Sequence, residues 1–391
     1  MNKFDKYCSF TFFSYFATFA IVVPLTGLFL NQLNFNSKEI GLILGVSILA
    51  RILGPYVFLL ISKLNKNLAN IYFMQCILFL TVLCIGTQVK SNLAVVVALS
   101  SLNIVWISIL PNIETISLSK LNGDMKRYST IRMWGSIGFI AFSVWASHAL
   151  INFGPLSFWF ILILLGFMLL ISSILLVRLE PIEITKKKSK KVFIERKLLL
   201  FYTIFFLFEL THAPYYGFFS IKLLENHYTG FAIGSLIAFA VICEIVTFAY
   251  GHRLLKYMNV SFILLFCSIL GVLRWTLIEF FVESITLLII SQLMHAFTFA
   301  LYHICAMHIL SLNADQDLIS QRQTTYTVLT MGIGAALGAY LAGLLWDVKV
   351  FQFSSFVSVG VSSMIISIII ILLIIKKELN QVINTPIKNR M

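Results

Sequence analysis

Residues 178–197 read RLEPIEITKKKSKKVFIERK, with a basic core at Lys186-Lys187-Lys188-Ser189-Lys190-Lys191. This stretch parts the chain into two apolar halves of matching size, 1–177 and 198–376, followed by a short tail, 377–391. Each half holds six long runs of mostly apolar residues, near 7–30, 38–61, 69–88, 93–118, 132–151 and 156–177, then 198–223, 230–251, 259–278, 284–311, 323–346 and 350–375. A helix needs roughly 20 such residues to cross a bilayer. The alternating pattern of a membrane barrel is absent, so each run is read as a helix. The expectation is an all-α membrane protein: twelve transmembrane helices in two six-helix bundles, with both termini cytoplasmic and 178–197 as the basic loop between the bundles.

Composition supports this. Of 391 residues 59% are hydrophobic and 12% charged, and the mean hydropathy is +0.94. A soluble domain carries about 25% charged residues. The net charge is +13, from 29 Lys and Arg against 16 Asp and Glu. With the N-terminus inside, the outer loops hold Lys38, Lys90, Lys222 and Lys349, the spans hold Arg51 and Arg274, and all other basic residues fall in cytoplasmic segments. That is the positive-inside bias. The charge is therefore a topology signal, with anionic lipid headgroups as secondary partners, and no nucleic acid is implied. The apolar run after Lys3 and Lys6 is too long for a signal peptide and lacks a small-residue cleavage site, so it is read as retained. The six cysteines lie in apolar runs without CxxC spacing, which favours small buried residues over disulfides or metal ligands. No P-loop, HExxH, DDxxD or metal-spaced His/Cys set occurs, so no cofactor and no metal are expected, and neither is an enzyme.

Six runs on each side of the loop, both sets starting inside, make two parallel repeats, which place a substrate site near the bilayer midplane. The clearest correspondence pairs Arg132, Gly135 and Gly138 in span 5 with Arg322, Gly332, Gly334 and Gly338 in span 11. In span 11, Gly334/Gly338/Ala342 and Ala335/Ala339/Gly343 have the small-xxx-small spacing of helix packing seams. Pro24, Pro55, Pro111 and Pro214 interrupt spans 1, 2, 4 and 7. Each removes a backbone hydrogen bond, tolerated in lipid where protein or a wet cavity satisfies the freed group. Spans 1, 4 and 7 are accordingly read as cavity walls, with a static kink as the alternative.

Ionisable residues deep in a span cost roughly 2.5–3.5 kcal/mol each on insertion scales and mark cavities or partnered sites. Here they are Arg51, Glu209, His212, Glu244, Arg274, His295 and His303, with Glu114 in the second half of span 4 and Arg132 at the very start of span 5, on its cytoplasmic edge. Glu114 and Arg132 flank a short basic turn between spans 4 and 5. They can form a static bridge, or a substrate clamp in which Arg donates a fork and Glu accepts a hydroxyl. Glu209, His212 and Tyr216 fall on one face of span 7, with Tyr215 beside them. They suit a polar cavity wall, a proton relay or a packing knot. Arg274 keeps its charge and needs a carboxylate, with Glu244 first and Glu209 second in line. His295 and His303 share a broad face of span 10. Arg51 can snorkel or pair across the bundle.

At this point the residues resemble a family. Two six-helix halves joined by a basic loop look like the major facilitator superfamily. Glu114 and Arg132-Met-Trp134-Gly135-Ser-Ile-Gly138 resemble the helix 4 to helix 5 segment of lactose permease, which implies that Glu114 and Arg132 are substrate ligands. Arg274 and His295 resemble that permease's proton-coupling group. The phenylpropionate permease branch is closer still, matched at Ala50-Arg51-Ile-Leu-Gly54-Pro55, Thr211-His212-Ala-x-Tyr215-Tyr216, Leu273-Arg274-Trp275 and His295-Ala296-x-Thr298-Phe299-Ala300. Two departures stand out. The superfamily's acidic residue in the helix 2–3 loop is replaced by Ser62 within Leu59-Leu-Ile-Ser62-Lys-Leu-Asn-Lys66. The carboxylate that follows the helix 10 histidine in lactose permease is missing, so coupling would use Glu209 or Glu244.

The resemblance implies proton-coupled uptake of a small organic solute by alternating access, across a bacterial inner membrane, by a monomer. The solute would be an aromatic carboxylate such as phenylpropionate, held by Arg132 or Arg51 with Trp134, Tyr215 and Tyr216 against its ring. A sugar or nucleoside bound at Glu114 and Arg132 is the alternative. A non-transporting membrane sensor and a membrane-embedded enzyme are alternatives of another class.

Overall fold

The computed structural model describes residues 3–89, 91–121, 124–178, 194–347 and 355–384. The basic core Lys186–Lys191, Lys90, Lys349 and the tail beyond 384 lie outside the described residues.

Among the described residues the chain is helical without strands, because backbone in lipid must satisfy its own hydrogen bonds. Eleven helices are long and apolar enough to cross a membrane, and a bent pair makes the twelfth. The first six spans are α1 Lys3–Val22 with α2 Thr26–Gln32, α3 Ser37–Ala50 with α4 Gly54–Leu64, α5 Leu68–Gly86, α6 Asn92–Lys120, α7 Met125–Phe153 and α8 Leu156–Val177. The second six are α9 Leu199–Glu225, α10 Gly230–Tyr250, α11 Val260–Phe280, α12 Ile285–His295 with α13 Tyr302–Ser311, α14 Gln316–Thr327 with α15 Ala335–Trp346, and α16 Ser362–Asn384.

Helix starts are set by side-chain caps that satisfy the orphan N–H groups of the first turn. Asn36 and Glu39 form a capping box before α3. Asn67, Ser91, Asp124, Asn259, Ser284 and Asp315 cap α5, α6, α7, α11, α12 and α14. Two caps move boundaries expected from hydropathy. Asp124 accepts from Arg127 N at 3.0 Å, so α7 begins before the apolar run and Arg132 lies two turns inside the helix rather than one. Asp315 accepts from Leu318 N at 2.8 Å, so Arg322 is inside α14 instead of ahead of it. Capping by a short polar side chain extends a helix beyond its apolar stretch, and hydropathy alone does not register this.

The prolines act differently from one another. Pro24 breaks the first span with a 47° bend, and its carbonyl accepts from Ser220 Oγ at 3.0 Å. Pro55 follows a 3₁₀ turn, Arg51–Leu53, at the start of α4. Pro111 and Pro214 stay inside continuous helices. Spans 10, 11 and 12 each contain a π-helical stretch, Ala296–Leu301, Val328–Gly334 and Phe356–Val361. Such segments tend to occur at functional sites.

The described residues gather into two compact units. One takes those of Met1–Ser189 with Tyr215–Val241, the other those of Lys190–Pro214 with Ile242–Met391. The second half of α9 and most of α10 thus pack with the first unit. In the first unit Gly138 of α7 lies so close to α1 that a Cβ there would overlap the Phe13 carbonyl; in the second, a Cβ at Gly338 of α15 would meet Leu210 and Ala213 of α9. The glycine correspondence between spans 5 and 11 is therefore a pair of equivalent packing seams, on span 1 and on span 7.

Each seam ends in an ion pair. Arg127 of α7 grips Asp5 of α1, with Nε 3.0 and 3.1 Å and Nη2 2.7 Å from the carboxylate oxygens. Arg322 of α14 is 1% exposed; its Nε and Nη2 meet Glu195 Oε2 at 2.8 and 2.7 Å, and its Nη1 donates to the carbonyls of Leu310 and Leu312. Of the cysteines, five are buried, Cys84 is exposed, and all six are free.

Candidate functional site

In the first unit, residues from spans 1, 2, 4 and 5 converge. The Arg132 guanidinium lies over α1, 3.9 Å from the Phe16 ring centre and 5.4 Å from that of Phe12. A guanidinium held over a ring still has N–H groups to direct at an acceptor. Glu114 and Arg132 act on each other electrostatically, yet no direct ion pair joins them among the described residues. The Tyr128 hydroxyl is within hydrogen-bonding reach of both.

Arg51, in its 3₁₀ turn, donates from Nε to Asn103 Oδ1 at 2.8 Å and lies 5.6 Å from the Trp106 ring centre. It is thus engaged with α6 rather than snorkelling. Trp106 stacks on Tyr15 at 5.4 Å and 13°, both fully buried. Phe19 joins Trp106 to Phe16, at 5.3 and 5.9 Å. Arg51, Glu114 and Arg132 all act on the Tyr15 hydroxyl. The result is an aromatic cluster flanked by two guanidiniums and one carboxylate.

The aromatic residues expected at this site are elsewhere. Trp134 is two residues from Arg132, so the two point away from each other on the helix, and it is 39% exposed. Tyr215 is buried in a run with Tyr216 and Phe219, ring centres 5.5 and 4.8 Å away. Tyr15, Phe16, Trp106 and Tyr128 take the place beside the charges. The sequence signal that could have found the first two is the row Phe12, Tyr15/Phe16, Phe19, which repeats at helical spacing on one face of span 1.

In the second unit Arg274 is wholly buried. Its Nε donates to the Ser291 carbonyl at 3.1 Å, its Nη1 to Thr298 Oγ1 at 3.2 Å, and it lies 4.4 Å from the Trp275 ring centre. Glu244 acts on Arg274 electrostatically, and its Oε1 is 2.6 Å from His295 Nε2. The carboxylate expected for Arg274 is thus shared with the histidine. His212 donates from Nδ1 to the Phe208 carbonyl at 2.8 Å, which leaves Nε2 as the lone-pair nitrogen of the neutral ring. Its ring is 5.3 Å from Trp275 and 5.8 Å from His295.

Glu209, which the sequence puts on the face of His212, interacts electrostatically with Tyr302 and Tyr326, and Tyr326 Oη is 3.2 Å from His303 Nδ1. Between the two groups Phe299 stacks on His295 at 5.4 Å and on His303 at 6.5 Å. The intervening π-helical turn takes more residues per turn than an α-turn, so these three rings line up where a regular helix would fan them out.

Eleven candidate spans, twelve with the bent pair, and charged groups buried within them define a multi-pass membrane protein. The chain belongs to the MFS_1 like family, whose model it matches over residues 6–357. It is 23% identical over 343 residues to a probable 3-phenylpropionic acid transporter of Escherichia coli (strain K12), covering 86% of this chain and 89% of that one. Among solved structures the nucleoside transporter NupG is similar with a TM-score of 0.77 at 16% identity, covering 96% of this chain and 99% of that one. A mutant of it reaches 0.81 at the same identity and coverage. The POT family transporter PepTSo is similar at 0.73 and 11% identity, covering 97% and 98%. These relatives and fold neighbours are transporters of the major facilitator type, not enzymes.

Proposed function

We propose that the protein takes up an aromatic carboxylate of the phenylpropionate kind by alternating access, coupled to protons, as a monomer in a bacterial inner membrane with both termini inside. The bundles 1–177 and 198–376 are the proposed halves of that cycle. The observation that carries the reading is the aromatic cluster Tyr15–Phe16–Phe19–Trp106 between Arg51 and Arg132. Its half-buried members Phe16 and Phe19 offer apolar ring surface beside a guanidinium, matching the ring and the carboxylate of an aryl acid. The 3-phenylpropionic acid relative supports the same substrate class. In this reading Arg132 binds the carboxylate through paired N–H bonds.

Coupling is proposed for Glu244 and His295. Their 2.6 Å contact lets a proton reside on either side chain, and Arg274 biases the pair through its fixed charge. His212 extends that group, while His303, about two turns further along span 10, forms a second titratable group with Glu209 of span 7.

One observation favours a second reading: Glu114, a carboxylate beside Arg132, suits the hydroxyls of a sugar or nucleoside better than an anion. Counterflow in proteoliposomes over aryl acids and neutral polyols separates the two. 3-Phenylpropionate is expected to exchange, and Arg132→Gln to abolish exchange. Exchange of polyols alone would establish the second reading, and failure of every acid and polyol would overturn both.

A further inference from the structure

Tyr128 has no part in the substrate reading so far, yet it interacts with both charges that reading relies on. It precedes Arg132 by four residues on α7, so both side chains lie on one helix face. Its ring meets the buried Phe12 ring edge-on, at 6.1 Å and 83°. The same Phe12 lies beneath Arg132. The preceding residue, Arg127, is tied to Asp5 by three hydrogen bonds, which fixes the start of α7 against α1. The phenol is therefore seated against Phe12 on the face of α7 that carries Arg132, and its hydroxyl interacts with Glu114 and Arg132.

The geometry points to Tyr128 as a positioning residue that keeps Glu114 and Arg132 from closing into an ion pair, and so keeps the Arg132 fork open for a carboxylate ligand. This rests on the reading of Arg132 as the substrate ligand. A phenol donates one hydrogen bond and accepts others, so its O–H can satisfy Glu114 while its oxygen accepts from Arg132. A direct Arg–carboxylate pair would be bidentate and self-satisfied. An entering acid would then have to break an ion pair in a half-buried site, which is costly. With the phenol in place it displaces only a neutral acceptor, and Glu114 keeps a donor that offsets its repulsion of the incoming anion. The hydroxyl thus tilts the site toward acids.

Four proteins test this: wild type, Tyr128→Phe, Glu114→Gln and the Tyr128→Phe/Glu114→Gln double variant. Binding of 3-phenylpropionate is expected to weaken at least ~10-fold in Tyr128→Phe, the range for losing a hydrogen bond to a charged group. It should recover in the double variant, where no carboxylate remains to capture Arg132. Unchanged binding in Tyr128→Phe overturns the proposal. So does a loss that Glu114→Gln fails to rescue, which would make the phenol a direct contact or a packing group. A ligand-free readout separates this from the substrate reading. The melting-temperature shifts of Glu114→Gln and Arg132→Gln should couple weakly in wild type, where the two groups share the phenol, and more strongly in the Tyr128→Phe background. If wild type binds no acid, the substrate reading fails while this cycle still decides the role of Tyr128. Equal coupling in both backgrounds sinks it.

Discussion

Arg274 carries a permanent charge at zero exposure within a helix of Leu, Ile, Phe and Val. Removing a buried charge from its partners costs several kcal/mol, so the group around it is best tested at a side chain that can lose its charge without changing shape. Glu244→Gln keeps the volume and a hydrogen-bond acceptor for His295 but holds no exchangeable proton. Uptake driven by an imposed pH gradient should fall to the level of empty liposomes, while counterflow, which needs no net proton movement, continues. Gradient-driven accumulation at the wild-type level would remove Glu244 from the coupling group. The charged and titratable members of both groups were legible in the chain, because an ionisable residue in an apolar run is anomalous by itself. Tyr15, Phe16, Trp106 and Tyr128 were not, since an aromatic ring in a membrane helix is ordinary until its neighbours are known.

At the scale of elements, the glycines of spans 5 and 11 were readable as seams from their spacing, but their partners were not. Gly138 abuts the Phe13 carbonyl, and backbone cannot move aside as a side chain can. Gly138→Val should therefore lower stability by about 1–3 kcal/mol or more, the range for overpacking, seen as a lower melting temperature in detergent. A melting temperature equal to wild type would mean that α1 and α7 are more loosely seated than their contact indicates. The break at Pro24 also belongs here. Proline in a span announces a lost hydrogen bond, yet only the structure shows the 47° bend there and the Ser220 hydroxyl, 196 residues away, donating to the Pro24 carbonyl at the break.

At the scale of the molecule, the two units carry corresponding fasteners, Asp5–Arg127 between spans 1 and 5 and Glu195–Arg322 between the approach to span 7 and span 11. They differ in environment. Arg127 is 39% exposed on its side chain and Arg322 is 1% exposed. Water can take up the charge of Arg127 when its partner is removed, and it cannot do so for Arg322. Glu195→Gln should therefore destabilise more than Asp5→Asn. Its cost should fall at the lower end of the roughly 3–5 kcal/mol for breaking a buried pair, since Arg322 keeps the carbonyls of Leu310 and Leu312 and Glu195 is itself 18% exposed. Partial burial works against ionisation of Glu195, but hydrogen bonds from Lys197 and Arg322, with their charges, hold its carboxyl below the usual carboxylate value. A depressed carboxyl contributes stability above its unfolded value, about 4.3, and loses it as the pH falls through the lowered folded value. The gap in melting temperature between wild type and Glu195→Gln should accordingly be full at neutral pH and close in acid. A gap that persists or widens in acid would show that the Glu195 carboxylate is not the stabilising species.

The amino-acid sequence by itself determined that this is a helical multi-pass membrane protein and which ionisable residues do not belong in lipid. Those are properties of local composition, periodicity and charge, each complete within one span. The tertiary structure alone decided which charges meet. It set Glu244 on His295, brought Glu209 into the field of Tyr302 and Tyr326, laid Arg132 on Phe16, and gave Glu114 and Arg132 a common neighbour in Tyr128. Contacts between side chains on different helices depend on helix rotation and capped length, and a turn extended by Asp124 or a π stretch at Ala296–Leu301 changes both without leaving a mark in hydropathy.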